Sequence, residues 1–122
     1  MGYYSEIIIE TEIKKEYIKQ VQNMIEDAKK IPHEKRDYVN WHMALMILHN
    51  DGEFEFDESY QKWYGDQEWI KKIGLFCEPG KITWTGEDGD KWGYEITDNG
   101  QIYFLEWVTK RGELFYSLEM AL

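Results

Sequence analysis

Three acidic residues crowd one short segment of the sequence, where their carboxylates could bind a cation. Glu87, Asp88 and Asp90 lie in the run GEDGD, residues 86–90. Carboxylate oxygens are the ligands that Ca²⁺ prefers. The calcium-loop pattern D-x-[DN]-x-[DN]-G, however, places its glycine after the third ligand and adds a distal glutamate, whereas Gly89 follows the second acid. The spacing favours a solvated hairpin turn, and we expect no metal or other cofactor.

A second acidic segment, residues 53–58, alternates acids with aromatic residues from Glu53 to Asp57. This alternation predicts a strand whose carboxylates share one face, with about 6.6 Å between neighbours. Regularly spaced negative charges are what a mimic of a nucleic-acid backbone needs in order to occupy a basic groove on another protein. An ordinary solvated strand face predicts the same residues, so both interpretations stay open. The acidic candidates for partner binding in the two segments are Glu53, Glu55, Asp57, Glu58, Glu87, Asp88 and Asp90.

The histidines and potential nucleophiles do not form a catalytic pattern. His42 and His49 are seven residues apart, which on a helix separates them by about 10 Å, too far for two ligands of one zinc ion. No serine lies in a nucleophile elbow, and no glycine-rich phosphate loop is present. The single cysteine, Cys77, follows Leu75 and Phe76 and is predicted to be a small core residue. A hydrolase or metal-dependent enzyme is therefore the least supported class, and we expect no enzymatic activity.

Net charge restricts the class of partner. The chain has 122 residues, with 24 acids and 14 bases, and a formal net charge of −10 at pH 7. Such a field repels phosphate backbones, so direct binding of DNA or RNA is not expected. A protein with a basic surface fits better, although acidity also serves to keep an aromatic-rich small protein soluble.

Length and apolar content bound the organisation of the chain. They predict one domain, residues 1–122. The opening stretch has no basic n-region, and its apolar run Ile7–Ile9 is too short for a signal peptide or a membrane helix. We therefore expect a cytoplasmic protein that does not interact with a membrane.

Apolar spacing predicts the first elements. The three isoleucines within Tyr3–Thr11 indicate a strand that is covered on both faces in its middle. Spacings of three and four predict an amphipathic helix from Ile13 to Ala28, closed before Pro32. Residues 36–49 fit both helical spacing and alternation, and their Ala, Leu and Met content favours a helix while a strand stays open.

The second half reads as one short helix followed by a meander. Gly65 and Asp66 indicate a break and an N-cap before a helix that ends ahead of Pro79-Gly80. Asp88-Gly89, Asn99-Gly100 and Arg111-Gly112 then predict three turns between strands. The predicted fold class is α+β, an antiparallel sheet with a C-terminal β-meander, packed on one side by two or three helices.

Aromatic residues are unusually frequent for a chain of this size, at 16%. Trp84, Trp92 and Tyr94 alternate and are predicted to pack one sheet face under the helices. Trp63 and Tyr64 are candidates for a partner surface, where such side chains act as interface anchors or stacking platforms. The last hairpin is apolar on both faces, for which a homo-oligomer is one explanation.

Three segments together carry a family resemblance. They are the opening MGYYSE, the central Lys62-Trp63-Tyr64 and the later run GEDGDKWGY, residues 86–94. In this order the chain resembles small, mostly uncharacterised proteins encoded by bacteriophages and prophages. The resemblance implies a phage gene product in a bacterial cytoplasm, and it carries over no catalytic residues.

Two functional hypotheses follow. The first is a small acidic, non-enzymatic binding protein, a phage-encoded inhibitor of a host nucleic-acid-handling or defence protein, of the anti-CRISPR type, acting by steric blockade or nucleic-acid mimicry. The alternative is a nucleotide-sequestering protein with an aromatic pocket. Because the chain is acidic, that pocket would need Lys62, Lys91 or Arg111 to converge on it.

Overall fold

The chain forms eight strands and four helices in the part that the structure describes. A computed structural model describes residues 4–57, 60–106 and 110–122. Short 3₁₀ turns lie at Lys15–Tyr17, His33–Lys35 and Gly74–Phe76. The elements are β1 (Tyr4–Glu10), α1 (Ile18–Lys30), α2 (Tyr38–Leu45), β2 (Met46–Leu48), β3 (Phe54–Phe56), β4 (Tyr60–Lys62), α3 (Asp66–Ile73), β5 (Gly80–Gly86), β6 (Lys91–Ile96), β7 (Gln101–Glu106), β8 (Lys110–Ser117) and α4 (Leu118–Ala121).

Six of the strands form one antiparallel sheet in the order β4-β1-β5-β6-β7-β8. Strands β5 to β8 follow each other as a meander, whereas β1 lies between β4 and β5. Helix α2 contacts both α1 and α3, and β2 and β3 form a separate hairpin. The predicted α+β class and its antiparallel sheet are confirmed. Among the described residues, no helix is both long and apolar enough to cross a bilayer.

The core face of the sheet is aromatic. Trp84 of β5 lies opposite Trp92 of β6, and their rings stack with centroids 6.2 Å apart and planes 7° from parallel. Tyr94, two residues further along β6, meets Trp84 edge-on at 5.7 Å. The prediction that these three side chains share one face under the helices is confirmed.

Two further tryptophans join the helices and the hairpin to that face. Trp69 of α3 is fully buried, and its ring centroid lies 6.2 Å from that of Trp84 and 5.2 Å from that of Trp63. Phe54 and Phe56 of β3 contact this pair edge-on from the hairpin side. Because each buried aromatic ring removes a large apolar area from water, this cluster supplies much of the stabilisation of a small core.

Residues 36–49 contain both of the structures that their sequence pattern allowed. Helix α2 begins after Asp37, whose Oδ1 accepts a hydrogen bond from the Asn40 N–H at 3.0 Å. The chain turns extended at Met46, and Met46 and Leu48 pair with Phe56 and Phe54. The helix prediction is therefore right for 38–45 and wrong for 46–48, where pairing with β3 overrides helix propensity.

Several sequence-based boundaries are corrected near the N-terminus. Ile13 lies outside α1 and forms an isolated antiparallel bridge with Cys77, so that the helix begins five residues later than predicted. Ile8 is 46% exposed, since the helices cover only the opposite face of β1. The middle of this strand is therefore not covered on both faces.

Two local predictions in the second half are also wrong. Gly65, not Asp66, occupies the N-cap of α3, and the Asp66 carboxylate turns towards the sheet instead. Arg111 and Gly112 belong to β8 and do not form the predicted turn. Tyr3, Glu58 and the apolar residues Trp107 and Val108 of the last hairpin lie outside the described residues.

Two glycines with positive φ provide a matched test of the backbone. Gly52 has φ +98°, and a Cβ there would lie 2.3 Å from the carbonyl oxygen of Ile13. Gly89 has φ +90°, and a Cβ there would meet nothing within 4 Å. We expect Gly89→Ala to lower the free energy of unfolding by about 1–2 kcal/mol, the cost of a strained φ alone. Gly52→Ala should cost at least about 2 kcal/mol more, because the Ile13 carbonyl must also move. Urea unfolding of both variants measures the difference, and equal losses would contradict this packing.

Candidate functional site

Four carboxylates line an open cleft at one end of the sheet. Glu10, Glu12, Glu53 and Glu78 surround a volume of about 550 Å³, together with Ile9, Thr11, Phe54 and Pro79. The Thr11 hydroxyl donates a hydrogen bond to the Glu78 carbonyl and joins two of the three segments that form the cleft. None of these four carboxylates lies within 4 Å of a basic nitrogen of the described residues. The cleft is thus a concentration of negative charge that the described part of the chain does not neutralise.

Three carboxylates in and beside β3, which we call the β3 carboxylates, extend this negative surface. Glu53, Glu55 and Asp57 are all exposed, as the alternation predicts. Glu55 Oε2 lies 2.6 Å from His49 Nε2, and this hydrogen bond is the main cause that raises the pKa of His49. We call Glu10, Glu12, Glu53, Glu55, Asp57 and Glu78 the acidic face.

The acidic turn between β5 and β6 lies at the opposite end of β1. The Glu87 N–H donates to the carbonyl of Tyr4 at 3.0 Å, whereas the cleft lies at Glu10. An extended strand of this length separates the two ends by about 20 Å. The structure therefore does not bring Glu87, Asp88 and Asp90 together with the β3 carboxylates.

Local hydrogen bonds give Asp88 a structural role in that turn. Asp88 Oδ1 accepts from the Asp90 N–H at 3.0 Å, and the Asp90 carbonyl accepts from the Gly86 N–H at 2.7 Å. The left-handed φ of Gly89 completes the turn. The turn is an exposed hairpin connection, as its sequence predicts.

Trp63 and Tyr64 are adjacent in the sequence, but the first side chain is buried and the second is exposed. The Trp63 side chain is 4% exposed and stacks on His42 with ring centroids 4.0 Å apart, so that it does not reach a partner surface. Tyr64 is 50% exposed, and its ring meets that of Tyr38 at 5.1 Å. Of this predicted pair, only the Tyr64 side chain is exposed at the surface.

An aromatic pocket lies beside Tyr64, at the end of β1 where the acidic turn begins. Its two adjoining parts have volumes of about 400 and 500 Å³ and share Tyr38 and Trp41. The first part is completed by Tyr4, Gln61 and Lys62, and the second by Arg36 and Asp37. We call the side chains of Tyr4, Arg36, Asp37, Tyr38, Trp41, Gln61 and Lys62 the aromatic pocket.

Sequence reasoning found this pocket only in part. Of the three bases considered for an aromatic site, Lys62 lies in it, whereas Arg111 binds Glu95 at 2.9 Å and stacks on Tyr103. Arg36 supplies the second base. The spacing of Tyr38 and Trp41 after a helix N-cap, one turn apart on one face, is the signal that could have predicted the platform.

His42 is a buried titratable residue behind the pocket. Its Nε2 accepts a hydrogen bond from the Gly65 N–H at 3.3 Å. Burial lowers the pKa of His42 from 6.5 to about 4, and interaction with the Gln61 side chain opposes the shift. The ring is therefore neutral near pH 7 and packs as an aromatic residue between Trp63 and Tyr38.

Asp66 fastens α3 to the sheet. Its Oδ2 accepts from the Tyr94 hydroxyl at 2.9 Å and from the Trp92 indole N–H at 3.3 Å. Burial raises the pKa of Asp66, and these two hydrogen bonds oppose the rise. The buried thiol of Cys77, whose pKa burial also raises, is a core residue as predicted.

Comparison with known proteins adds no relative to this description. No protein-family model, no curated protein and no solved structure matches the chain significantly.

The low pKa of His42 predicts a pH-dependent stability. Between pH 6.5 and 4 the unfolded chain binds a proton at this position and the folded protein does not, so that stability falls as pH falls. We expect His42 to contribute a loss of about 2.5 kcal/mol over this range. The difference in urea-unfolding free energy between wild type and His42→Asn, measured at several pH values, isolates this contribution from that of the carboxylates. Parallel pH curves for the two proteins would contradict the assignment.

Proposed function

We propose that this chain is a small acidic, non-enzymatic protein that binds a basic protein partner through its acidic face. The observation that supports this most strongly is the cleft, where four carboxylates from three separate segments meet with no ion pair to the described residues. The exposed β3 carboxylates adjoin it through Glu53, which belongs to both.

Electrostatics explains how such a face selects its partner. Like charges held a few ångströms apart repel one another by about 1 kcal/mol or more per pair near a protein surface. A lysine or arginine side chain that enters the cleft replaces this repulsion with attraction. The net charge of −10 adds long-range steering of a basic protein, which mainly increases the association rate.

The biological setting is part of the same proposal. The resemblance of the opening segment, Lys62-Trp63-Tyr64 and GEDGDKWGY to phage and prophage proteins favours a role in the cytoplasm of a bacterial host. There the partner would be a nucleic-acid-handling or defence protein. Its basic groove would be blocked sterically, or filled by β3 carboxylates spaced about 6.6 Å apart in place of a phosphate backbone.

Charge reversal with a matched control tests the proposal. Affinity capture from bacterial lysate identifies the partner, and surface plasmon resonance then compares wild type with the double variant Glu53→Lys, Glu55→Lys. The control is Glu26→Lys, Asp27→Lys on α1, which changes the net charge equally and removes two exposed ion pairs.

We expect the β3 variant to bind the captured partner at least about tenfold more weakly, with most of the loss in the association rate. The α1 control should lose less than about threefold, because it changes only the long-range field. Wild-type association should also slow steeply as salt is raised. Equal losses in the two variants, or capture of no basic protein, would refute the proposal.

A further inference from the structure

The aromatic pocket is a second candidate site, and it has no residue in common with the acidic face. We propose that it binds a small planar aromatic anion of the size and chemistry of a nucleoside monophosphate. This inference does not rest on the proposed function, since it concerns the other end of β1 and a different ligand class.

Charge complementarity favours an anionic ligand. Two basic side chains, Lys62 and Arg36, line the pocket against one carboxylate, Asp37. The Asp37 carboxylate already accepts the Asn40 N–H, whereas Lys62 Nζ lies over the Tyr4 ring, 5.6 Å from its centroid, and makes no ion pair with a described residue. The acidic cleft, by contrast, is lined by four carboxylates and no base. Among the residues that line the aromatic pocket, bases therefore outnumber acids by two to one, although the acidic turn with Glu87, Asp88 and Asp90 lies at the same end of β1.

Dimensions favour a small molecule over a protein. Each part of the pocket, at about 400 and 500 Å³, lies within the usual range for ligand sites. The neighbouring tyrosines Tyr4, Tyr38 and Tyr64 are 39–50% exposed, which amounts to about 300 Å² of aromatic surface. A stable protein interface needs about 800 Å² on each partner. The patch is large enough to stack a base and too small to anchor a protein alone.

The platform is held in place before any ligand arrives. Arg36 donates from Nε to the Ile31 carbonyl and from Nη2 to the Lys29 carbonyl, both at 3.1 Å, so that it fixes the link between α1 and α2. The remaining terminal nitrogen, Nη1, has no hydrogen-bond partner among the described residues and is available to an anionic group. His33 packs edge-on against Trp41 with centroids 4.3 Å apart and limits its rotation. Fixed rings bind with a smaller loss of conformational entropy than mobile ones do.

Gly65 sets the position of Tyr38. A Cβ at residue 65 would lie 2.9 Å from Cβ of Tyr38 and 3.1 Å from the backbone nitrogen of Val39. Any side chain there must displace the first turn of α2, and with it the aromatic platform. Gly65→Ala therefore perturbs the site without removing a ligand-contacting group.

Isothermal titration calorimetry of the full chain tests the proposal. The probes are AMP and UMP, with adenosine and uridine as uncharged counterparts. We expect saturable one-to-one binding of both nucleotides in the micromolar to low millimolar range, and at least about fivefold weaker binding of the nucleosides, which lack the charge that Lys62 and Arg36 recognise.

Three variants and one matched control locate the site. Lys62→Glu should weaken AMP at least about fivefold and adenosine less than about twofold, whereas Trp41→Ala should weaken both at least about fivefold. Gly65→Ala should weaken both. Lys72→Glu, exposed on α3, makes the same charge change away from the pocket and should leave AMP affinity within about twofold of wild type. The variant Glu53→Lys, Glu55→Lys should bind AMP at least as well as wild type, so that failure here is distinct from failure of the acidic face.

Three results would overturn the inference. The first is no saturable heat with either nucleotide up to about 10 mM. The second is an equal effect of Lys62→Glu and Lys72→Glu on AMP. The third is binding of a single-stranded octanucleotide that is far tighter than eight separate nucleotides at the same total concentration would give. Such a result would assign the pocket to a longer groove for nucleic acid. Thermal melting of each variant confirms that it is folded, and Lys62→Gln repeats the charge test if Lys62→Glu is unstable.

Discussion

The contact among Trp63, Trp69 and Trp84 is the interaction on which the rest of this structure depends. These three rings come from the segment after β4, from α3 and from β5, and their centroids lie 5.2 to 6.2 Å apart. The cluster therefore joins the hairpin, the helices and the six-stranded sheet at a single place. Large rings supply much apolar burial from few residues. Because few residues build the core, most other positions of the 122-residue chain can carry charged side chains at the surface.

The surface that remains carries two candidate sites of different chemistry. At the Glu10 end of β1, carboxylates from distant segments face solvent together, and at the Tyr4 end, aromatic rings and two bases form a pocket. The core determines this arrangement. The β2–β3 hairpin packs Phe54 and Phe56 inward, so Glu53 and Glu55 must face outward. Helix α2 directs His42 and Met43 to the core and leaves Tyr38 exposed.

Periodicity predicted the parts of this molecule that local forces determine. The amphipathic pattern of α1, the alternating aromatics of β5 and β6, and the turns at Gly89 and Gly100 follow from residues close together in sequence. The acidic cleft was only partly predictable, because Glu10, Glu12 and Glu78 join Glu53 through tertiary packing. Trp63 and Tyr64 were both candidates for a surface because such side chains anchor interfaces, yet Trp63 is buried, since adjacent residues at the end of a strand point in different directions. The two structures of residues 36–49 required knowledge of the partner strand.

The place of β1 in the sheet also determines the order in which the protein becomes complete. Strands β5 to β8 pair with their sequence neighbours, whereas β1 pairs with Lys62 and Gly86, some sixty and eighty residues away. Closing such long loops has an entropic cost before any contact compensates for it, so β1 is expected to join an already formed meander. On a ribosome, β1 would be synthesised well before β4 and β5, the strands with which it pairs. Because Tyr4 and Glu10 lie at the two ends of that strand, the pairing of β1 with the sheet would complete the aromatic pocket and the acidic cleft in one step.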